Sequence, residues 1–284
     1  MVRGDFVERI GLIGLGPIGS HFLKLLLNDG YSVTVLDLIP EYVQGAVNLG
    51  AKAADTPAQV AQSSDVIVLS LPGNKPVIKV MEGEDGILEV LKEGQIVIDT
   101  GTSSPDLDQK YETLCTFRGA GFIDSPVTWR KPGLILMVGG VEEVFKRAEK
   151  IIACMSYKHK HIGPIGRGQV LKSVNQMVFS NMSALWAEAV EYSRMNGVGK
   201  ELLVDFLEMA VPDRLFGDDF TRKSGTVELN YKDLLYVQEL AHETGANIPL
   251  TNAVHEIFKY IVNKGDGKLD QNGIIKYWRS LNGY

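Results

Sequence analysis

The chain has 284 residues, enough for two domains at about 150 residues each. Its composition, 45% hydrophobic and 23% charged, is that of a globular protein with a sizeable core. A net charge of −6 argues against general affinity for nucleic acid or for an anionic membrane, and the two cysteines form neither a disulfide framework nor a metal-ligand pattern. We expect a cytoplasmic protein with no nucleic-acid partner, no membrane partner and no metal site.

The first predicted elements are a strand, a glycine turn, a helix and a second strand that ends in an acid. The strands cover residues 9–15 and 31–36, the helix covers 18–27, and Asp37 follows the second strand. The turn between the first strand and the helix reads Gly14-Leu15-Gly16-Pro17-Ile18-Gly19. This order of elements is typical of a dinucleotide-binding unit.

Each part of this unit has a physical role in binding a dinucleotide. Gly14 permits the tight turn, Gly16 lets the backbone approach a pyrophosphate, and Gly19 lets helix and strand pack closely. The carboxylate of Asp37 can accept hydrogen bonds from a ribose 2′-hydroxyl and would repel a 2′-phosphate, and no arginine follows it. We predict NAD as the cofactor, with NADP less favoured. The predicted cofactor-binding residues of this unit are Gly14, Gly16, Pro17, Ile18, Gly19 and Asp37.

Two further buried strands, over residues 65–71 and 95–100, end in loops at the carboxyl edge of the predicted parallel sheet. Ligands bind at that edge in such sheets. The candidates to line the nicotinamide pocket are Leu71, Pro72, Thr102 and Ser104. For Thr102 and Ser104, a plain turn and helix cap explains the sequence equally well.

A strand predicted over residues 121–127 runs into a loop that carries Arg130 and Lys131. Adjacent cations at the active edge favour an anion, and Arg130 can bind a carboxylate or sulfonate through two parallel hydrogen bonds. A solvated charge pair on a hairpin is the alternative. The remaining predicted elements of this half are a strand over 134–138, a helix over 141–155 and an edge strand over 157–162. We predict that His159 and His161 lie on the solvated face of that edge strand.

The second half contains no convincing strand. After the segment Gly163–Gly166, a long helix covers residues 166–195. Further helices are predicted over residues 200–211, 229–244, 250–263 and 273–281. The predicted fold is therefore α/β: a Rossmann-type doubly wound sheet domain (1–164) followed by an all-α helical domain (165–284), joined by a long interdomain helix. The apolar character of that helix predicts a homodimer or homotetramer.

Between Arg167 and Glu188 the long helix carries a single charge, Lys172. Asn175 and Gln176, three and four residues further on, share its face. Burial lowers the pKa of a lysine, which is one way to obtain a general acid/base that works near neutral pH. The alternative is a lysine whose amine extends to water. We predict that Lys172 lies at the cleft between the domains, where ligands preferentially bind.

Several segments together resemble the β-hydroxyacid dehydrogenase family, which includes 3-hydroxyisobutyrate dehydrogenases and semialdehyde reductases. In chain order, the segments similar to that family are the dinucleotide signature Gly11–Ser20, the nicotinamide-side loop Asp99–Pro105, the substrate segment Asp124–Thr128, the catalytic segment Gly163–Gln176 and the late motif Tyr231–Val237. The resemblance implies that Lys172 is the catalytic lysine. It implies that Asn175 orients Lys172 or binds the substrate hydroxyl, that Thr128 binds substrate, and that Lys232 approaches the cofactor.

Three differences from the family's usual pattern concern the substrate. Trp129 and Arg130 stand where the family usually has two glycines, the loop that follows is shorter, and Gln176 stands where a second asparagine is common. Trp129, Arg130 and Gln176 are therefore predicted to bind substrate.

We predict hydride transfer between NAD and a small 3-hydroxy acid or the matching semialdehyde. The alternatives are a reductase of a sulfonated or otherwise strongly anionic aldehyde held by Arg130, and a non-catalytic dinucleotide-binding protein of the same fold. An imine reductase is disfavoured by Lys172.

Overall fold

The structure is a computed structural model, and it describes residues 8–221 and 225–283. Contacts divide the chain into two compact units, and the division falls between Lys172 and Ser173. The first unit is an α/β sheet structure and the second is helical, which confirms the predicted fold class. Within the described residues, no helix combines the length and the apolar character needed to cross a membrane.

The sequence places the domain boundary between residues 164 and 165, eight residues before the division that the contacts give. We keep this boundary as a proposal. It is supported by two glycines in the left-handed region, Gly163 with a φ angle of 143° and Gly166 with a φ angle of 82°.

From residue 8 onward, where the structure describes it, the first unit is built on a nine-stranded sheet. Its strands are β1 (Arg9–Ile13), β2 (Ser32–Leu36), β3 (Lys52–Ala53), β4 (Val66–Leu69), β5 (Ile96–Asp99), β6 (Gly121–Asp124), β7 (Val127–Arg130), β8 (Gly133–Gly139) and β9 (Lys158–Gly163). Strands β3-β2-β1-β4-β5-β6 are neighbours in this order and all parallel, the strand order of a dinucleotide-binding sheet. Strand β8 pairs antiparallel with β6 and β7 and parallel with β9.

Helices connect the strands of this sheet. They are α1 (Pro17–Asn28), α2 (Pro40–Asn48), α3 (Pro57–Gln62), α4 (Asn74–Glu82), α5 (Ile87–Val90), α6 (Pro105–Thr116) and α7 (Glu142–Met155). Four of them begin with proline, whose fixed φ and missing N–H suit the first helical position.

Alternating residues of the central strands enter two separate cores. Val66 and Val68 of β4 belong to one cluster, which also contains residues of α1 and α7. Ile67 and Leu69 belong to the other cluster, which contains residues of helices α3, α4, α5 and α6. Successive side chains of a strand point to opposite faces of a sheet, so helices cover both faces, as in a doubly wound fold.

Two details of this unit correct the sequence predictions. The strand predicted over 121–127 is interrupted, because Pro126 lacks the N–H that a continuous strand requires. A second strand, β7, begins after this break. Arg130, which the sequence places on a loop, is its last residue. The predicted solvated face of His159 and His161 is wrong: both side chains are partly buried against Phe145 of α7, and the alternating lysines of β9 face water.

The second unit contains most of α8 (Arg167–Met195) together with α9 (Val227–Thr244), α10 (Pro249–Ile261) and α11 (Lys276–Leu281). Within residues 173–221 and 225–283, a single apolar cluster forms its core. The helix predicted over 200–211 is wrong in its second half. A short π-helical turn ends at Phe206, and Glu208 has a φ angle of 51°, which no right-handed helix accommodates.

Candidate active site

The turn between β1 and α1 has the geometry of a phosphate-binding loop. Gly14 has a φ angle of 95°, and a Cβ atom there would lie 2.3 Å from the carbonyl oxygen of Ser70. A Cβ atom on Gly19 would lie 1.9 Å from the carbonyl oxygen of Gly14. Both glycines are therefore required by the protein's own packing.

Gly16 differs from these two glycines, because a Cβ atom there would meet no atom of the described residues within 4 Å. Its φ of −59° is one that any residue adopts. The fold does not require this glycine, so the open space beside it fits a ligand that approaches the backbone. Gly16 is also the N-cap of α1, and among the described residues no side chain caps that helix. Pro17 has no N–H, so the backbone N–H groups of Ile18 and Gly19 in the first turn are the ones suited to the pyrophosphate of a dinucleotide.

Asp37 lies at the end of β2, beside the glycine turn. One carboxylate oxygen accepts a hydrogen bond from the backbone N–H of Leu15 at 2.5 Å, and the other accepts from that of Ile39 at 2.8 Å. A carboxylate has about four acceptor positions, so both oxygens retain capacity for ribose hydroxyls. Asp37 thus shapes the glycine turn and presents negative charge next to it.

The loops after β4 and β5 approach the same turn. A side-chain carbon of Leu71 lies 3.2 Å from the position of a Cβ atom on Gly14, and a Cβ atom on Gly101 would lie 2.5 Å from the carbonyl oxygen of Leu71. Leu71 and Thr102 are partly buried, whereas Pro72 is exposed. The structure thus brings the predicted nicotinamide-side residues to the edge of the sheet at which the glycine turn lies.

Ser104 occupies the N-cap position of α6, but its side chain does not cap that helix. Its hydroxyl instead accepts a hydrogen bond from the side-chain amide of Asn74 at 3.0 Å, and its backbone N–H donates to Asn74 Oδ1 at 2.9 Å. Ser104 therefore ties the loop before α6 to the start of α4, a role that neither sequence interpretation described.

The predicted substrate residues lie on β7. Arg130 Nη1 donates hydrogen bonds to Thr128 Oγ1 at 3.2 Å and to the carbonyl oxygen of Trp129 at 2.8 Å. Thr128 and Arg130 are two residues apart on a strand and share one face. Trp129, on the opposite face, is half exposed, and its ring lies edge-on to His21 of α1 at 5.3 Å between centroids. Strand β7 therefore contacts, through Trp129, the helix that begins at the glycine turn.

Lys172 lies in the second turn of α8 and is only 8% exposed. Its Nζ donates a hydrogen bond to the carbonyl oxygen of Val127, the first residue of β7, at 2.9 Å. The alternative of an amine extended to bulk water does not describe this side chain. The amine lies instead beside the strand that carries Thr128 and Arg130.

The remaining predicted residues form a chain of contacts within the second unit. Asn175 Nδ2 donates to Gln176 Oε1 at 2.9 Å, and Gln176 Nε2 donates to Asp233 Oδ2. The amine of Lys232 lies 3.2 Å from Asp233 Oδ1. Asp233 joins two predicted residues, but sequence reasoning gave it no role, although it lies within the late motif of the family resemblance.

A buried carboxylate at the end of β6 holds the start of α8, and sequence reasoning also missed this function. Asp124 accepts hydrogen bonds from the backbone N–H groups of Gly166 at 2.7 Å and Gln169 at 2.9 Å. A Cβ atom on Gly168 would lie 2.2 Å from the carbonyl oxygen of Met137, so this turn packs directly against the sheet. The one available signal is a carboxyl group inside a predicted strand, residues 121–127, that otherwise carries no charge.

Comparisons with known proteins identify the family. Residues 9–163 match the NAD binding domain of 6-phosphogluconate dehydrogenase, and residues 166–278 match the family described as NAD-binding of NADP-dependent 3-hydroxyisobutyrate dehydrogenase. The chain belongs to the 3-hydroxyisobutyrate dehydrogenase family. Members of this family are NAD(P)-dependent hydroxyacid dehydrogenases that act on a CH–OH group, which confirms the predicted family, reaction class and type of cofactor.

Individual relatives span nearly the whole chain. Mitochondrial 3-hydroxyisobutyrate dehydrogenase of Mus musculus is 30% identical, covering 95% of this chain and 87% of the relative. The 2-(hydroxymethyl)glutarate dehydrogenase of Eubacterium barkeri is 29% identical, covering 97% of this chain and 96% of the relative. The solved structure of Mycobacterium tuberculosis 3-hydroxyisobutyrate dehydrogenase with L-serine is 24% identical and has a TM-score of 0.84. The match covers 96% of this chain and 99% of that chain, and it shows that the two proteins share a fold.

Proposed function

We propose that this protein transfers hydride between NAD and a small 3-hydroxy acid or the matching semialdehyde, with Lys172 as the general acid/base. The observation that carries this proposal is the buried amine of Lys172, held 2.9 Å from the carbonyl oxygen of Val127 beside the substrate segment. The NAD preference is supported by the carboxylate of Asp37 beside the glycine turn. A bound nicotinamide accepts or supplies the hydride.

The chain's own residues supply the proton transfer and the positioning. In the oxidation direction, neutral Lys172 takes the hydroxyl proton of the substrate as hydride departs; in reduction, protonated Lys172 returns a proton to the forming alkoxide. Its positive charge also stabilises negative charge on that oxygen. Asn175, one helical turn from Lys172, orients the amine or binds the substrate hydroxyl, and Gln176 shares this task. We propose that Lys232 approaches the cofactor.

We propose that Thr128 and Arg130 hold the acidic end of the substrate, with Trp129 shaping the pocket beside them. The hydrogen bond between Arg130 and Thr128 gives the guanidinium a defined position on β7, which supports binding of an anion in fixed orientation. The same arrangement supports a second candidate substrate class, aldehydes with a sulfonate or another strongly anionic group.

A nicotinamide absorbance assay tests these proposals directly. A panel of 3-hydroxy acids, their semialdehydes and sulfonated aldehydes would be assayed with NAD and NADP, or with their reduced forms. Turnover of one of these classes with a preference for NAD is expected. Dinucleotide binding without turnover of any panel member would favour the non-catalytic alternative.

We propose that the protein forms a homodimer through α8. Apolar side chains that are 48–73% exposed recur along one stripe of this helix, at intervals of three, four or seven residues. They are Val174, Val178, Met182, Leu185, Tyr192 and Met195. A second copy of the chain provides the matching apolar surface. Light scattering should give the mass of a dimer for the wild type, and Leu185→Asp should shift the population toward monomer. A tetramer would show that a second interface exists. A monomeric wild type would refute the proposal.

A cytoplasmic, reducing compartment is proposed from the state of the two cysteines. Cys115 and Cys154 are free. Burial raises the pKa of Cys115 to about 12 and that of Cys154 to about 11, so both thiols stay protonated and unreactive near neutral pH. Cell fractionation of the producing organism tests this location.

A further inference from the structure

A network of buried polar side chains lies at the carboxyl ends of β5 and β6. Its members are Asp99, Ser103, Asp108, Asp124 and Gln169, each no more than 2% exposed. Three of the five are carboxyl groups, and a buried anion is costly unless hydrogen-bond donors surround it. The number of hydrogens available within the network therefore decides which carboxyls are ionised.

Asp124 has donors for both of its oxygens. The backbone N–H groups of Gly166 and Gln169 each donate to one of them, at the start of α8. These donors can only donate, and a negative charge at a helix N-terminus is stabilised by the helix dipole. These donors favour the ionised form of Asp124 and oppose burial, which raises its pKa to about 7, so Asp124 is ionised above that pH.

The orientation of the Gln169 side chain is fixed by two backbone groups. Its Oε1 accepts from the N–H of Ser103 at 3.3 Å, and its Nε2 donates to the carbonyl oxygen of Gly101 at 3.2 Å. The second hydrogen of Nε2 is then directed to Ser103 Oγ, which lies at 2.9 Å. Ser103 Oγ is consequently an acceptor in its contact with Gln169.

The hydroxyl of Ser103 also lies 2.9 Å from Asp99 Oδ2 and 3.0 Å from Asp108 Oδ1. A hydroxyl has one hydrogen, so it donates to only one of these two carboxyls. The other contact is a hydrogen bond only if that carboxyl carries a proton and donates it to the serine oxygen. The pair Asp99 and Asp108 therefore holds one proton.

The donors around each carboxyl assign that proton. Asp99 accepts from the N–H of Gly101 at 2.9 Å through Oδ1, while its Oδ2 faces the Ser103 hydroxyl. Asp108 Oδ2 is buried and has no hydrogen-bond partner among the described residues. An ionised Asp108 would leave a charged oxygen unsatisfied, whereas an ionised Asp99 has a donor at each oxygen.

We propose that Asp108 is a neutral carboxylic acid in the folded protein and that it is a positioning residue for Lys172. The carboxylic hydroxyl of Asp108 donates to Ser103 Oγ. The Ser103 hydroxyl in turn donates to Asp99 Oδ2, and its oxygen also accepts from Gln169 Nε2. Gln169 lies three residues before Lys172 on α8, so the acid fixes the helical turn that presents the amine. The effect on turnover rests on the proposed role of Lys172, but the protonation of Asp108 does not.

The electrostatic surroundings agree with this assignment. Burial raises the pKa of Asp108 well above its ordinary value, and the neighbouring carboxyls of Asp99 on β5 and Asp124 on β6 raise it further, while the side chains of Ser103 and Gln169 act in the opposite direction with a smaller effect. Burial raises the pKa of Asp99 only to about 6, because the donors Gly101 and Ser103 act in the opposite direction.

Protonation is tested without substrate by comparing the wild type with Asp108→Asn. Asparagine is neutral, has the same shape and can donate an N–H to Ser103. Unfolded Asp108 ionises at about pH 4, whereas folded Asp108 keeps its proton to a much higher pH, so the wild type loses stability across this window. The free energy of unfolding of Asp108→Asn should therefore rise relative to that of the wild type from about pH 4 upward.

Infrared spectroscopy supplies a second measurement that does not depend on a stable variant. At pH 8, where exposed carboxyls are ionised, the wild type should retain the carbonyl band of a protonated carboxylic acid. That band should be absent from Asp108→Asn and present in the matched control Asp106→Asn, which changes an exposed acid on the same helix. A wild-type spectrum without the band, or an Asp108→Asn protein with no pH-dependent gain in stability, would overturn the assignment.

The positioning role is tested by turnover. Asp108→Leu cannot donate to Ser103, and its kcat should fall by about tenfold to a hundredfold while the KM for NAD changes little. Asp108→Asn should restore most of the kcat. Equal loss of kcat in both variants, with the infrared band present in the wild type, would refute the positioning role alone. A wild type that turns over no hydroxy acid would refute the proposed function and leave the protonation result standing.

Discussion

Replacing Gly16 with alanine should separate cofactor binding from folding. The added Cβ atom would meet no atom of the described residues within 4 Å, and the φ of −59° suits alanine. Gly→Ala stabilises a compatible site by about 0.4–1 kcal/mol through the unfolded chain, while alanine is a poorer N-cap by a similar amount. The free energy of unfolding should therefore change by less than about 0.5 kcal/mol, as measured by urea denaturation.

NAD binding should weaken in the same variant, because the methyl group occupies the space that a pyrophosphate needs. Loss of one hydrogen bond from a backbone amide to a charged phosphate costs about 1.5–3 kcal/mol. At 1.4 kcal/mol per factor of ten, the Kd for NAD should rise by about tenfold to 150-fold in a calorimetric titration.

Gly45→Ala is the matched control for Gly16→Ala. It also adds a methyl group to open space, on α2, and it should leave the Kd for NAD unchanged. Gly19→Ala provides the contrast, since its Cβ atom would lie 1.9 Å from the carbonyl oxygen of Gly14, and it should destabilise the fold by about 1–3 kcal/mol. Unchanged NAD affinity in Gly16→Ala would refute the assignment of this turn as the pyrophosphate site.

Three further predictions concern specificity and stability. Asp37→Ser removes the charge that opposes a 2′-phosphate, so the ratio of kcat/KM for NAD to that for NADP should fall by at least about tenfold; an unchanged ratio would remove Asp37 from cofactor selection. Arg130→Met should raise the KM of the anionic substrate by about tenfold to a hundredfold, with a smaller effect on kcat, as steady-state kinetics would show. The side-chain hydrogen bond from Arg9 lowers the pKa of Asp65, so Asp65→Asn should be less stable than the wild type at pH 7, and this difference should shrink as the pH falls from about 4 through the lowered pKa of Asp65. A difference that stays constant as the pH falls from 7 to about 2 would show that the pair acts through packing.

The elements and the cofactor turn follow from local patterns in the sequence. The sequence predicts α8 over residues 166–195 and the helix covers Arg167–Met195, because its apolar spacing and the glycines before it are local signals. Over residues 200–211 the apolar periodicity continues past Glu208, but the helical turn ends at Phe206 and the backbone is left-handed at Glu208. Periodicity reports which residues can share a helix face and does not report where the chain must turn.

The polar contacts of the site were less accessible to sequence reasoning. Asp124 is 42 residues from Gly166, whose N–H it accepts at the start of α8, and the proposed link from Asp108 to α8 depends on the contact of Ser103 with Gln169, 66 residues further on. Asp233 lies within a segment that resembles the family, yet its contact with Gln176 depends on the packing of α8 against α9. Partners this far apart in the sequence can be identified only from the structure, which shows which strand ends and helix starts lie next to each other.

Substitution of Lys172 tests the central claim most directly. Lys172→Ala should lower kcat by about a hundredfold to ten-thousandfold, the usual contribution of a general acid/base, while the Kd for NAD stays within about twofold of the wild type. Lys146→Ala, which removes an exposed lysine on α7, is the matched control and should keep full activity. Added primary amines should partly restore turnover to Lys172→Ala. Turnover of Lys172→Ala within about tenfold of the wild type, with substrate saturating, would contradict the proposal that this buried amine moves the proton.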